Sequence, residues 1–441
     1  MATRKQKIRF AFKRFKGFWN EFKRSKRGLI GLIIIIFFTL LAIFAPALAT
    51  HKPIDPQMGI GEYPGIAGSR GIKIAEDLCK PIWYKHLPFI SRGEVEVTER
   101  FYTVTKNVSG YIVTFYAHEG VENASDTSLL LSNRVASIDY IKAIFPNGTE
   151  KQLTDNEWKI PELGGMLKTR EIQLLNVYPS YTKFEVKYKT GVDLVENMKI
   201  VHDNTFDSNE SMKEWITTAN PASAKVQFKY NNEKGFVWNP KDNKGCMEIS
   251  YIPSATINQT VTVAISKLFK YPYYQPPVSF ITHASIKLEG QIKSVEMKIY
   301  FTRIRQNGPE SYLLAERTIL SRGGYEHVGI SSSDPQTARN VKVEPPQDAI
   351  FAIPGNYSFV VELIIPKEAG NGKIYLDNVD AILYGNIFGL MGTDNGIPFP
   401  RDIYSLLVYG SRVSLLVGVL SALFGTLIGL FAGLVSGYLG G

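Results

Sequence analysis

The last charged residue of the chain is Arg412, and no Asp, Glu, Lys, Arg or His follows it. An uncharged apolar run of about 27 residues is long enough to cross a bilayer as a helix. Gly425, Gly429, Gly433 and Gly437 recur at every fourth position, with Ser421 one step before them. That spacing places the five on one helical face, where a second backbone can approach closely. The expectation is a membrane helix over residues 413–439 that packs through this face. Glycine is common in membrane helices, so one pair alone would mean little; the register of four carries the reading.

A second uncharged stretch, GLIGLIIIIFFTLLAIFAPALA from Gly28 to Ala49, predicts another span over 28–50. It is too long for the apolar core of a secretory signal, and the basic stretch before it is also too long. Residues 1–27 hold eleven Lys and Arg and a single acid, Glu21. The net charge of +9 therefore belongs to this end, and residues 28–441 sum to -1. Beside a span, such a cluster holds the N-terminus in the cytoplasm. It does not coat a folded face, so no nucleic acid is expected as partner. Phe15, Phe18, Trp19 and Phe22 fall at i, i+3, i+4 and i+7 among the basic residues. They predict an amphipathic helix on an anionic lipid surface, against the plainer reading of a solvated tail.

Residues 51–391 carry no comparable apolar run and must lie across the membrane from the N-terminus. Their pattern is β. Val295, Met297, Ile299 and Phe301 alternate with polar neighbours, as do Phe184, Val186 and Tyr188, then Val226, Phe228 and Tyr230, then Tyr357, Phe359, Val361 and Leu363. Period-two alternation predicts strands with one buried and one wet face. Turn clusters at Pro146–Thr149 and Gly370–Lys373 divide them. The fold class expected is a membrane protein with two transmembrane α-helices flanking a large extracellular, mostly-β region of sandwich or jelly-roll domains. The boundaries are a Pro- and Gly-rich connecting segment at 51–95, a β domain at 96–195, a second at 200–385, and an interface segment at 390–412. The expected site of the protein is the cell membrane, as a multi-pass chain.

Sequons begin at Asn107, Asn123, Asn147, Asn209, Asn258 and Asn356, all in the external part, and are glycosylation acceptors in a host that glycosylates surface proteins. Cys79 and Cys246 lie there too; two thiols allow one bridge or two separate buried cysteines. No catalytic motif stands out. A P-loop, an HExxH pair and a GxSxG elbow are all missing, and the six histidines are scattered along the chain. No enzyme activity is expected. Tyr271, Tyr273 and Tyr274, set among Pro272, Pro276 and Pro277, read as a sugar-stacking surface or, more plainly, as a rigid loop lying on the sandwich.

The two membrane segments resemble the permease subunits of oligopeptide/dipeptide-type ABC importers. The residues that carry the resemblance are Phe44-Ala45-Pro46, then Gly392-Thr393-Asp394, Arg401-Asp402, the run Tyr409-Gly410-Ser411-Arg412-Val413-Ser414-Leu415-Leu416-Val417-Gly418, and the closing Gly437-Tyr438-Leu439-Gly440-Gly441. The resemblance covers roughly 10–60 and 390–441. It implies a permease for peptides or oligosaccharides with membrane lipid, a sister permease subunit, ABC ATPase subunits and an extracellular solute-binding protein as partners. The chain departs from the pattern in three ways. Ile397-Pro398-Phe399-Pro400 stands where the family has a glycine before Arg-Asp. The external loop is swollen into β domains. The family's later spans and its ATPase-docking loop do not follow, so a truncated or split permease is expected.

A fainter resemblance joins DNTFDSNES, starting at residue 203, to KIYLDNVDAILY over 373–384. These bookends look like carbohydrate-binding-module jelly rolls. That resemblance implies a structural Ca²⁺, the only cofactor expected, with Asp207 and Asp377 as its candidate oxygen ligands. The alternative it opens is a membrane-anchored surface receptor or adhesin that binds glycans.

Overall fold

The computed structural model describes residues 19–20, 22–51, 73–120, 123–201, 206–236, 244–253, 259–396 and 400–439. Most of the expected basic interfacial helix, Asn258, the first three residues of the 203 bookend, all but Pro400 of the Ile397–Pro400 insertion, and the closing Gly440-Gly441 therefore lie outside the described residues. Helix α1 spans Lys26–Leu48, and the Ser25 hydroxyl caps it by accepting the Gly28 N–H at 3.2 Å.

The first β unit is built on a six-stranded antiparallel sheet. Its strands are β1 (Glu94–Val108), β2 (Tyr111–His118), β3 (Ala124–Ser125), β5 (Ser137–Ile144), β6 (Glu150–Gln152) and β11 (Lys183–Gly191), ordered β3-β2-β1-β11-β5-β6. A small sheet of β4 (Ser128–Leu130), β10 (Glu171–Leu174) and β7 (Trp158–Lys159) packs on it. Phe101, Ile141, Phe184, Val186 and Tyr188 of the large sheet meet Leu129 and Ile172 of the small one in a common core. Between these strands lies the hairpin β8 (Glu162–Leu163) and β9 (Met166–Lys168).

The second unit is a two-sheet sandwich. Its strands are β12 (Met198–Val201), β13 (Ile216–Asn220), β14 (Lys225–Asn231), β15 (Cys246–Ile252), β16 (Val261–Tyr271), β17 (Ser279–Gly290), β18 (Ser294–Arg305), β19 (Gly308–Leu320), β20 (Glu326–Ser331), β21 (Val343–Glu344), β22 (Gly355–Ile365) and β23 (Gly372–Tyr384). Short helices α2 (Asn209–Lys213), α3 (Pro335–Val341) and α4 (Gln347–Ile350) sit in its connections. One sheet runs β14-β15-β23-β17-β20, with β12 also pairing β23; the other runs β13-β16-β22-β18-β19. The alternating residues form the inner faces: Val295, Met297, Ile299 and Phe301 on β18, and Tyr357, Phe359, Val361 and Leu363 on β22, are all buried. Each such large apolar side chain contributes about 1.5–3 kcal/mol by leaving water.

The two β units are joined through a seam. Strand β9 of the first pairs in parallel with β21 of the second. Arg170 grips Asp348 with two hydrogen bonds of 2.9 and 2.7 Å, and the Thr169 hydroxyl donates to the same carboxylate at 2.7 Å. Arg134 reaches the Ala352 carbonyl at 2.9 Å.

Helix α5 spans Ile403–Tyr438. It begins well before Val413, the start expected from the charge-free run, because Asp402 supplies an N-cap that apolarity does not register. Helices α1 and α5 are both long and apolar enough to cross a membrane. They meet near the β units, where Ala42 and Ala45 are buried on α1 and Ser405, Val408 and Ser411 on α5.

Candidate functional site: the joint between the spans and the β units

The residues expected to mark the interface segment come together at one place. Asp402 is 2% exposed and accepts four bonds or close approaches. Its carboxylate takes the Thr50 hydroxyl at 2.6 Å, the Ser405 hydroxyl at 2.6 Å and the Tyr404 N–H at 3.3 Å, with His51 Nδ1 at 3.6 Å. The His51 N–H in turn donates to the Ser405 hydroxyl at 3.1 Å. The exit of α1 is thus tied to the start of α5 through one acid. Burial alone raises the Asp402 carboxyl, but the hydroxyls of Ser405 and Thr50 and the His51 ring outweigh it and hold the group below its ordinary value.

Around this acid the chain folds a tight knot. The Thr393 hydroxyl donates to the Glu76 carbonyl at 2.6 Å and accepts the Cys79 N–H at 2.8 Å. Gly392 has φ +78, and a Cβ there would lie 2.0 Å from the Cys79 carbonyl oxygen, so only glycine fits. Asp394 holds Arg401 through Nη2 at 2.6 Å and Nε at 2.8 Å and accepts the Arg401 N–H at 2.7 Å. The connecting segment lies alongside: the Lys80 N–H donates to the Asn386 carbonyl at 2.9 Å and the Phe388 N–H returns to the Lys80 carbonyl at 2.8 Å. The crossing from β11 to β12 joins the same knot, since the Asn386 N–H donates to the Val195 carbonyl at 2.9 Å.

Arg412 stands two turns into α5 from this knot. Its Nε donates to the Ala42 carbonyl at 2.7 Å, and its guanidinium lies over the Tyr409 ring at 5.3 Å. Gly410 meets no side chain or distant backbone within 4 Å of a built Cβ. The same holds for Gly425, Gly429, Gly433 and Gly437. The glycine face, with Ser421 exposed at its head, therefore packs on nothing among the described residues.

Of the two alternatives for the cysteines, one bridge or two separate buried thiols, the structure has the second. Cys79 and Cys246 are both free and buried. Cys79 donates to the Gly385 carbonyl at 3.6 Å, just past the end of β23, whereas β15 meets β23 at Met247↔Leu376. Strand rise puts those points roughly 30 Å apart, well beyond the reach of a bridge. Burial pushes the Cys246 thiol up to about 12, with Asp377 adding to it. Asn107, Asn123, Asn147, Asn209 and Asn356 are exposed on the β units.

Asp377 lies on β23 and is 3% exposed. Its two oxygens accept the Phe236 N–H at 2.7 Å and the Asn378 N–H at 2.8 Å. Burial pushes its carboxyl up to about 8; these two donors oppose that rise, and the negative charges of Asp207 and Asp380 add to it. Among the described residues, no group of three or more His, Cys, Asp or Glu side chains is placed to hold a metal. Of the scattered histidines, strand pairing brings two together: His283 and His327 stack at 5.9 Å, and Ser285 Oγ lies 2.7 Å from His327 Nδ1. Sequence spacing carried no sign of that pair. Tyr271 is fully buried and donates to the Gln275 carbonyl at 2.6 Å, while Tyr274 is half-exposed.

Two apolar helices of spanning length, joined at an acid-centred knot and flanking a β region, define a membrane-associated class of protein. Residues 13–60 match the family described as the N-terminal TM domain of oligopeptide transport permease C. Among solved structures, TmCBM61 in complex with beta-1,4-galactotriose is 10% identical over 42% of this chain and 97% of its own, with a TM-score of 0.26. A family 11 carbohydrate-binding module from Clostridium thermocellum is 16% identical over 44% of this chain and 99% of its own, also at 0.26. Comparison with curated proteins gives no match.

Proposed function

We propose that this chain is a permease-type integral subunit of an ABC importer for peptides or oligosaccharides. The observation that carries the reading is the joint around Asp402, set against the permease match at residues 13–60. A buried acid that binds the end of one span and the start of the next couples the two helices to the same point of the external β units. Motion of the β units then reaches both spans together. In this reading a solute-binding protein docks outside, a sister permease subunit packs against the glycine face, and ABC ATPase subunits supply the energy. The N-terminus is cytoplasmic and the β units are external. No catalytic step is assigned to the chain.

A structural Ca²⁺ at Asp377 is part of the same proposal. Each Asp377 oxygen has accepted one N–H, which leaves a lone pair on each for a cation. Hard oxygens are the donors that ion takes, and with its carboxyl pushed up to about 8 Asp377 would offer them to it only once deprotonated, at alkaline pH.

The test is affinity purification of the full chain from membranes of its own cell, with crosslinking. Co-recovery of an ABC ATPase and a second permease is expected. Recovery without either, under conditions that preserve a known importer, would refute the transporter reading.

A further inference from the structure

Beside Arg412 the two spans enclose a shallow groove of ≈ 410 Å³. Ala42 and Ile43 form one wall; Leu415, Leu416, Val419 and Leu420 form the other. Its polarity is ordered. The guanidinium sits at the end nearer the Asp402 joint, and only aliphatic side chains line the groove farther along α5.

The guanidinium is only partly satisfied. Nε donates to the Ala42 carbonyl, and among the described residues neither Nη group has a hydrogen-bond or ion-pair partner. Ala42 lies six residues before the end of α1 at Leu48, roughly 9 Å along the helix axis. In a membrane that depth is below the headgroups. A cation there is costly unless it reaches an anion or draws one to it. The remaining Nη donors form the planar fork that matches a phosphate.

We infer that this groove binds one anionic glycerophospholipid, with its phosphate on the Arg412 Nη groups and an acyl chain along Leu416 and Val419. A charged end followed by an apolar channel has the polarity order of a lipid. An apolar packed helix would bring no anionic group to the guanidinium, whereas a phospholipid brings a phosphate and an acyl chain in that order. The inference rests on the membrane placement proposed above and is independent of the transport reading.

The test is native mass spectrometry of the full chain, purified in mild detergent and delipidated. It is then titrated with phosphatidylglycerol, phosphatidylethanolamine and glycerol 3-phosphate. One phosphatidylglycerol per chain is expected, bound about tenfold more tightly than phosphatidylethanolamine, with no binding of the tail-free phosphate. Arg412→Gln should weaken phosphatidylglycerol by about tenfold. Val419→Trp fills the groove with the arginine in place, and it should weaken the lipid by a similar factor, which guards against misfolding of the first variant. Equal retention by wild type and both variants would overturn the inference. So would equal affinity for the two lipids, or glycerol 3-phosphate binding as tightly as phosphatidylglycerol. A crosslink from Leu416→Cys to a helix of another subunit would show that protein covers the groove, and that too would overturn it. A chain that stays in solution without detergent would instead overturn the membrane placement.

Discussion

Arg412 donates to the carbonyl oxygen of Ala42 at 2.7 Å, and Ala42 is the residue whose helical partner would be the N–H of Pro46. Proline has no N–H, so that carbonyl is orphaned by the sequence of α1 itself. In a membrane an unsatisfied carbonyl is expensive, and the second span supplies the missing donor. The proline in one helix and the arginine in the other are two halves of one bond.

That relationship predicts non-additivity. Arg412→Ala should destabilise the detergent-solubilised chain by about 1–3 kcal/mol, since it strands a carbonyl. Pro46→Ala restores an N–H to α1, so the arginine change should cost less in that background. A thermal-melt double-mutant cycle measures the coupling, expected at about 1 kcal/mol. Additive effects would contradict the shared-bond account.

The Asp402 joint makes its own prediction. Asp402→Ala leaves the Thr50 and Ser405 hydroxyls without their acceptor and removes a helix cap, at about 1–3 kcal/mol. The acid is held below its ordinary value, so its contribution is present at neutral pH and disappears as pH falls through the folded-state value. Melting curves taken at falling pH should show wild type converging on Asp402→Asn. A constant gap down to strongly acid pH would argue against it.

Two glycine substitutions should act on different properties. Gly392→Ala places a Cβ against the Cys79 carbonyl in a positive-φ conformation, so the isolated chain should melt earlier. Gly429→Leu touches nothing within the described chain, so its melting should be unchanged while recovery of neighbouring subunits falls. Intact complex recovery from Gly429→Leu membranes would remove the packing role of that face.

Asp377 links pH and calcium. Its folded-state value is pushed up to about 8 from an ordinary 3.8. Stability from the protonated form is therefore complete at low pH and is lost as pH rises through about 8. In EDTA, Asp377→Asn should gain on wild type steadily between mildly acid and mildly alkaline pH. Calcium should raise the wild-type melting point at alkaline pH and leave the variant unmoved. Identical responses of the two proteins would rule out a metal at this carboxylate.

The two helices and the buried strand faces were legible in the sequence because each rests on local periodicity. Val295 to Phe301 alternate in the sequence and are buried in alternation. The knot was legible in its parts and not in its wiring. Gly392-Thr393-Asp394 and Arg401-Asp402 stand out as residues, yet their partners Glu76, Cys79 and Thr50 lie far off in the chain. The seam through Arg170 and Asp348 left no local trace, since an isolated arginine and aspartate look like solvated charges. The choice between one bridge and two separate buried thiols stayed open for the same reason: counting cysteines carries no distance.

Lys80 and Ile387 form a parallel bridge although nearly all of the β region lies between them. Bridged strands are about 5 Å apart, so the chain leaves for the β units and returns from them side by side. To the two helices, everything in between has the footprint of a short loop. Such a junction tolerates cargo of any size, because enlarging what hangs from it does not change the gap it spans. The junction is therefore a socket, and the same pair of helices can carry a different outer module without being re-spaced.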